Sequence, residues 1–177
     1  MDVKSAFLNG YITEDVFVEQ PPGFTNLHFP NHVFKLTKDL YGLKQAPRAW
    51  YDRLSNFLIS KGFTKGIADP TLFIKRISKD VLVVQIYVDD IIFGSSKHSL
   101  CTDFSKSMQN EFEMSLMGEL KYFLGFQVFQ NENGIILNQS KYTKDLLKRF
   151  GLDSIKESET PMSTTCKLDA DETGKPV

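Results

Sequence analysis

Two adjacent carboxylates, Asp89 and Asp90, stand in the middle of an otherwise apolar stretch, Gln85-Ile86-Tyr87-Val88-Asp89-Asp90-Ile91-Ile92-Phe93. Neighbouring carboxylates repel, a divalent cation relieves that repulsion, and oxygen ligands suit Mg²⁺. The alternative is a solvated turn that merely tolerates acids, the commoner case for an arbitrary Asp-Asp pair. Residues 81–88 are rich in β-branched and aromatic types and predict a central strand, and Ile91 to Phe93 starts a second one. The two form a hairpin expected to carry both acids at its tip. Asp-Gly or Asn-Gly is the more usual two-residue turn, so something must compensate for this choice.

The rest of the chain has to position that hairpin. Thr71 to Ile77 reads as a strand that turns through Ser78-Lys79-Asp80 into the strand ending at Asp89. Pro47 suits a first helical turn, Trp50, Leu54, Phe57 and Leu58 recur at helical spacing, and Gly62 can end that helix. Leu100, Phe104, Met108 and Phe112 fall four apart, an amphipathic helix able to cover a sheet. A short strand is expected within Tyr11 to Pro22, around Val16 and Val18, and another over Val33 to Leu36. Ser140 suits an N-cap, with Tyr142, Leu146, Leu147 and Phe150 as an apolar stripe closed by Gly151. Strands and helices interleave without a regular βαβ repeat, which predicts an α+β fold: an antiparallel sheet covered by helices.

At 177 residues the chain fits one domain and can bury roughly 70% of its unfolded surface. Lys plus Arg number 21 against 22 acids, a net charge of -1, so a uniformly basic nucleic-acid binder is excluded and only a local distribution of charge could serve that role. Cys101 and Cys166 lack metal or redox spacing, consistent with a reduced intracellular protein. His28 and His32 are four apart, but Pro30 between them argues against a helical metal pair. No signal peptide, membrane span or internal repeat is visible.

Tyr87-Val88-Asp89-Asp90 is a Tyr-x-Asp-Asp box, and it has company. Upstream are Asp2-Val3-Lys4-Ser5-Ala6-Phe7-Leu8-Asn9-Gly10, Glu19-Gln20-Pro21-Pro22-Gly23-Phe24 and Leu40-Tyr41-Gly42-Leu43-Lys44-Gln45-Ala46-Pro47-Arg48-Ala49-Trp50. Downstream is Lys121-Tyr122-Phe123-Leu124-Gly125. In this order the series resembles the reverse transcriptase, or RNA-directed DNA polymerase, of copia-type LTR retrotransposons, plant-like, from Asp2 to about Met162. The resemblance implies a right-hand polymerase palm with partial fingers over residues 1–137. It further implies the start of the thumb, its first helix, over 138–151, and a polar, extended tail over 152–177.

The resemblance also implies roles. Asp2, Asp89 and Asp90 would be the catalytic residues and would hold two Mg²⁺ ions, with Mn²⁺ as the alternative metal. Val3 could add a backbone carbonyl. Phe7, five residues after Asp2, would lie under the sugar of the incoming nucleotide and exclude a 2′-hydroxyl by clash; read from the residues alone it is a core side chain. Tyr41, Gly42 and Tyr87 would contact the nascent pair or nucleotide. Lys44, Gln45 and Arg48 would help with phosphate or template, the alternative being a solvated helix entrance. Phe123, Leu124 and Gly125 would begin a primer-grip hairpin that turns at Asn131 to Gly134 and returns over Ile135 to Leu137. Lys141, Lys144 and Lys148 would face duplex phosphates or simply be a solvated helix face. Ser115 stands where many relatives carry a Lys, which leaves Lys121 as a candidate proton donor to pyrophosphate.

The expected partners are an RNA template, a DNA primer and deoxynucleoside triphosphates, together with RNase H, integrase and protease regions in a full polyprotein and no membrane. Kinship points to cytoplasmic virus-like particles or the nucleus. Met1 directly before Asp2 leaves no room for the strand expected to carry that acid, so the chain is expected to be N-terminally truncated and inactive alone. Two other readings stand beside the polymerase: a catalytically inactive remnant lacking the fingers, and a non-catalytic nucleic-acid-binding module.

Overall fold

A computed structural model describes residues 1–156. The chain forms two compact units, Met1–Leu120 and the part from Lys121 onward. The first contains, in order, β1 (Asp2–Val3), a 3₁₀ turn (Ala6–Asn9), β2 (Phe17–Val18), β3 (Phe34–Lys35), α1 (Ala46–Ser60), β4 (Thr64–Lys65), β5 (Leu72–Ile77), β6 (Asp80–Tyr87), β7 (Asp90–Ser95), α2 (His98–Glu111) and β8 (Met114–Ser115). The second contains β9 (Tyr122–Phe123), β10 (Phe126–Asn131), β11 (Gly134–Asn138) and α3 (Ser140–Arg149).

The main sheet has the order β4-β5-β6-β7-β1-β8, and every neighbouring pair is antiparallel. Alternation along β6 decides its faces, because Leu82, Val84 and Ile86 are buried while the residues between them are less so. Phe73 of β5 lies opposite Val84, and Ile91 of β7 opposite Ile86, so one apolar face runs across three strands. Trp50, Leu54, Phe57 and Leu58 of α1 and Phe104 and Met108 of α2 close over it in a single core. Each such side chain contributes about 1.5–3 kcal/mol on burial. The opposite face carries Gln85, Tyr87 and Asp90 and has no helix of this core on it.

Helix α1 ends as its sequence suggests. Gly62 takes a φ of 85°, its N–H donates to the Ile59 carbonyl, and the Phe63 N–H donates to the Leu58 carbonyl. This is the Schellman pattern, with Leu58 and Phe63 both buried.

Three expectations are corrected. The strand within Tyr11 to Pro22 shrinks to Phe17–Val18, paired with Phe34–Lys35, and Tyr11 makes only an isolated bridge to Lys38; Pro21 and Pro22 have no N–H to extend the ladder. Ser140 is not a cap but the first residue of α3, because β11 runs to Asn138 and leaves only Gln139 between strand and helix. Asn138 Oδ1 accepts the Ser140 N–H at 3.1 Å, and Gln127 Oε1 accepts the Lys141 N–H at 2.8 Å. The third correction concerns the acidic hairpin and follows below. At the other end of α3, Gly151 at φ 65° and the Leu152 N–H to Leu147 carbonyl bond close the helix as expected. Residues 157–177, most of the expected tail, lie outside the described residues.

Candidate active site

The acids do not share the hairpin tip. Tyr87 pairs with Asp90, so the two turn residues are Val88 and Asp89, and Asp90 is the first residue of β7. The register is one residue earlier than the sequence suggested, because Tyr87 on β6 and Asp90 on β7 close the ladder. Val88 has φ 56° and is the only turn residue of the two with positive φ. That is the pattern of a type II′ turn, whose first position normally holds glycine. A β-branched residue there is a genuine outlier. The compensation comes from outside the hairpin: the Trp50 indole N–H donates to the Val88 carbonyl at 2.6 Å, and the Val3 N–H donates to the Asp89 carbonyl at 3.1 Å.

Asp2 on β1 lies directly opposite Asp90 and, on its other side, opposite Ser115 of β8. Met1 and Ile91 exchange both backbone hydrogen bonds, each 2.8 Å. Asp2 and Asp90 are therefore the alternate, non-hydrogen-bonded pair, in which Cα atoms approach to about 4.5 Å and side chains lie closest. Like charges at such a position are destabilising. Burial, Asp89 and Asp2 together push the Asp90 carboxyl above its ordinary value, with the Met1 ammonium pulling weakly the other way. All three acids are half-buried on or beside the face opposite α1 and α2. The donor set is all oxygen, and its unfavourable mutual charge is what a hard divalent cation would offset. Among the described residues, no group of three or more His, Cys, Asp or Glu side chains is gathered as a ready-made metal cage.

Val3 is buried, and its N–H is committed to Asp89. Phe7, on the 3₁₀ turn, is half-buried and its ring lies 4.5 Å from that of Tyr41, tilted by 48°. Residues 40–43 form a turn closed by the Leu43 N–H to the Leu40 carbonyl, with Gly42 at φ 93° in the third position as a type II turn requires. The structure thus brings together two aromatic rings that are far apart in sequence. Tyr87 is exposed on the face carrying the acids. Lys44 is exposed, Gln45 occupies the N-cap position of α1 without a capping side-chain hydrogen bond, and Arg48 is exposed with Asp52 at 3.9 Å. Gln45 and Arg48 line a cleft of about 370 Å³ that also involves Tyr11, Glu14 and Arg53. Asp39, just before this loop, is fully buried with neither carboxylate oxygen hydrogen-bonded, and burial followed by the charge of Glu14 raises its pKa.

In the second unit, Leu124 and Gly125 have φ 48° and 83°, forming a type I′ turn between Phe123 and Phe126. The next turn joins Asn131 to Gly134, as expected. Lys141, Lys144 and Lys148 are all exposed on α3, and the Lys141 ammonium sits 5.7 Å from the centre of the Tyr122 ring.

Sequence reasoning placed Trp50 in the core but missed its link to the hairpin. The signal was available in principle, because a buried indole needs a partner for its N–H. Ser115 was noted for lacking an ammonium; its place beside Asp2 was not legible, since it depends on β8 pairing across more than a hundred residues.

Residues 1–164 match the family model described as reverse transcriptase (RNA-dependent DNA polymerase). The chain is 40% identical over 168 residues to the retrovirus-related Pol polyprotein from transposon RE1 of Arabidopsis thaliana, covering 95% of this chain and 12% of that protein. It is 38% identical to the corresponding polyprotein from transposon RE2 of the same plant, over the same shares. It is 34% identical to that from transposon TNT 1-94 of Nicotiana tabacum, covering 95% of this chain and 13% of that protein. The chain thus spans about an eighth of the length of these relatives. No solved structure matches it.

Proposed function

The chain belongs to the reverse transcriptase (RNA-dependent DNA polymerase) family and is similar to plant copia-type Pol polyproteins, and from that premise we propose that it forms the palm of an RNA-directed DNA polymerase centred on Asp2, Asp89 and Asp90. The observation that carries this reading is the register: Asp2 faces Asp90 in the closest kind of antiparallel pair, with Asp89 in the adjoining turn. These oxygens would hold two Mg²⁺ ions, or Mn²⁺, which when bound supply Lewis-acid activation of a primer 3′-hydroxyl and charge neutralisation at the triphosphate.

The chain's own residues do the rest by position and exclusion. The Phe7 ring, braced by Tyr41, shapes the sugar site so that a ribose 2′-hydroxyl clashes, and Tyr41 with Gly42 offers a flat turn to the nascent base pair. Tyr87 borders the same face. Lys44, Gln45 and Arg48 approach the template, while Val3 fixes the hairpin through its N–H. Phe123, Leu124 and Gly125 form the tight turn of a primer grip, and Lys141, Lys144 and Lys148 give the first thumb helix a basic face for duplex phosphates. In this reading residues 1–137 are palm with partial fingers and 138–151 the first thumb helix. The substrates are an RNA template, a DNA primer and deoxynucleoside triphosphates, inside a polyprotein that also supplies protease, integrase and RNase H in an intracellular particle. Among the described residues no helix is long and apolar enough to cross a membrane.

Nucleotide choice tests this assignment. In Mg²⁺-dependent primer extension on an RNA template, Phe7→Ala is expected to lower the preference for deoxy- over ribonucleotides by about tenfold or more. The assay is run on this chain preceded by the residues that lie upstream of the aligned region in the RE1 relative. An unchanged preference would remove Phe7 from the sugar site. Binding of an RNA–DNA hybrid with no incorporation at all would replace the polymerase by a non-catalytic binding module.

A further inference from the structure

Val88 holds a conformation that its side chain disfavours, at φ 56°, and the residue after it is Asp89. Val88 is 42% exposed, so burial of its side chain does not explain the strain. Strained backbone persists where the surroundings over-determine it. Here two hydrogen bonds do so, one to each turn carbonyl: Trp50 Nε1–H to Val88 at 2.6 Å and Val3 N–H to Asp89 at 3.1 Å.

Trp50 is itself fixed. It is 1% exposed, its ring meets Phe112 edge-on at 5.2 Å, and Gly10 runs so close to its backbone that a Cβ there would lie 2.9 Å from the Trp50 main-chain nitrogen. A phenylalanine would keep an aromatic ring near Phe112 but is smaller than the indole and lacks its N–H, and that N–H is spent on the carbonyl of the strained residue. The geometry points to Trp50 as a positioning residue: its indole N–H holds Val88 in the left-handed conformation and so sets where Asp89 is presented beside Asp2 and Asp90. The consequence for catalysis rests on the polymerase reading, whereas the effect on the turn does not.

Hydrogen exchange and Mn²⁺ titration on the full chain separate the two. Trp50 is the single tryptophan, so its indole N–H gives one unambiguous signal. That proton is expected to exchange slowly, and exchange at the rate of an exposed indole overturns the proposal even if Trp50→Phe does not fold. In Trp50→Phe the Val3 amide is expected to exchange about tenfold faster, the scale of one hydrogen bond, with the β5–β6 amides unchanged. Adding Val88→Gly should restore slow exchange, because glycine adopts this conformation without help. Unchanged Val3 exchange in Trp50→Phe, or no restoration by Val88→Gly, overturns the proposal. In the titration, Asp89→Asn is expected to weaken Mn²⁺ binding strongly and Trp50→Phe by about tenfold, one hydrogen bond's worth. Weakening by Asp89→Asn with none by Trp50→Phe overturns the positioning role. Equal affinity of wild type and Asp89→Asn sinks the metal-site reading instead, and the exchange data still decide whether Trp50 holds the turn.

Discussion

Asp90 carries the electrostatic load of the site. Burial, Asp89 and Asp2 raise its pKa, so folding disfavours its charged form relative to the unfolded chain. Its stabilising contribution is then fully present at pH below the ordinary carboxylate value, and it is lost as pH rises through the raised pKa. Asp90→Asn should therefore raise the Tm of metal-free protein at neutral pH, and that gain should vanish as the pH falls below about 4. Thermal melts across pH check this, and a gain that persists in acid would show the charge is not the cause. That Asp89 and Asp90 stand together at a hairpin was legible from an acidic pair inside an apolar stretch. Which of them sits in the turn was not, because a one-residue register is fixed by pairing rather than by composition.

The elements show why the glycines near the site differ. Gly10 has ordinary backbone angles, but a Cβ would come within 2.9 Å of the Trp50 main-chain nitrogen and 3.0 Å of Ala49. Gly42 has open space around it and needs its freedom for φ 93°. Gly10→Ala must push the 3₁₀ turn from α1 and should destabilise by about 1–3 kcal/mol through overpacking. Gly42→Ala should cost about 1–2 kcal/mol through backbone strain alone. Urea unfolding measures both, and only Gly10→Ala should also speed exchange of the Trp50 indole proton. Helices α1 and α2 and strands β5 to β7 could be anticipated, since each has a periodic apolar face long enough to declare itself. Strands β1, β4 and β8 are two residues each and exist because the sheet recruits them, which no local pattern announces.

Across the molecule, burial is uneven. Nearly all buried apolar residues belong to the first unit, while among the described residues of the second only Val128 is buried. Ile135, Ile136 and Leu137 on β11 and Phe150 after α3 are exposed. Opening free energy follows local buried contact, so amides of β10 and β11 should exchange much faster than those of β6 and β7. Equal protection in both would mean that surface beyond this chain's described contacts stabilises the second unit. The α+β class was readable from the interleaving of patterns; the division into two units was not, because the hairpin of the second unit is as apolar as a core strand, with Ile135, Ile136 and Leu137 in a row, yet stays exposed.

The most direct measurement is single-nucleotide incorporation into a DNA primer on an RNA template in Mg²⁺, comparing wild type with Asp89→Asn in the upstream-extended polypeptide. Wild type should incorporate, and Asp89→Asn should lose about a thousandfold in rate, the scale of removing a group that stabilises transition-state charge. An Asp89→Asn protein that keeps most of the wild-type rate would contradict the assignment of this hairpin as the catalytic centre.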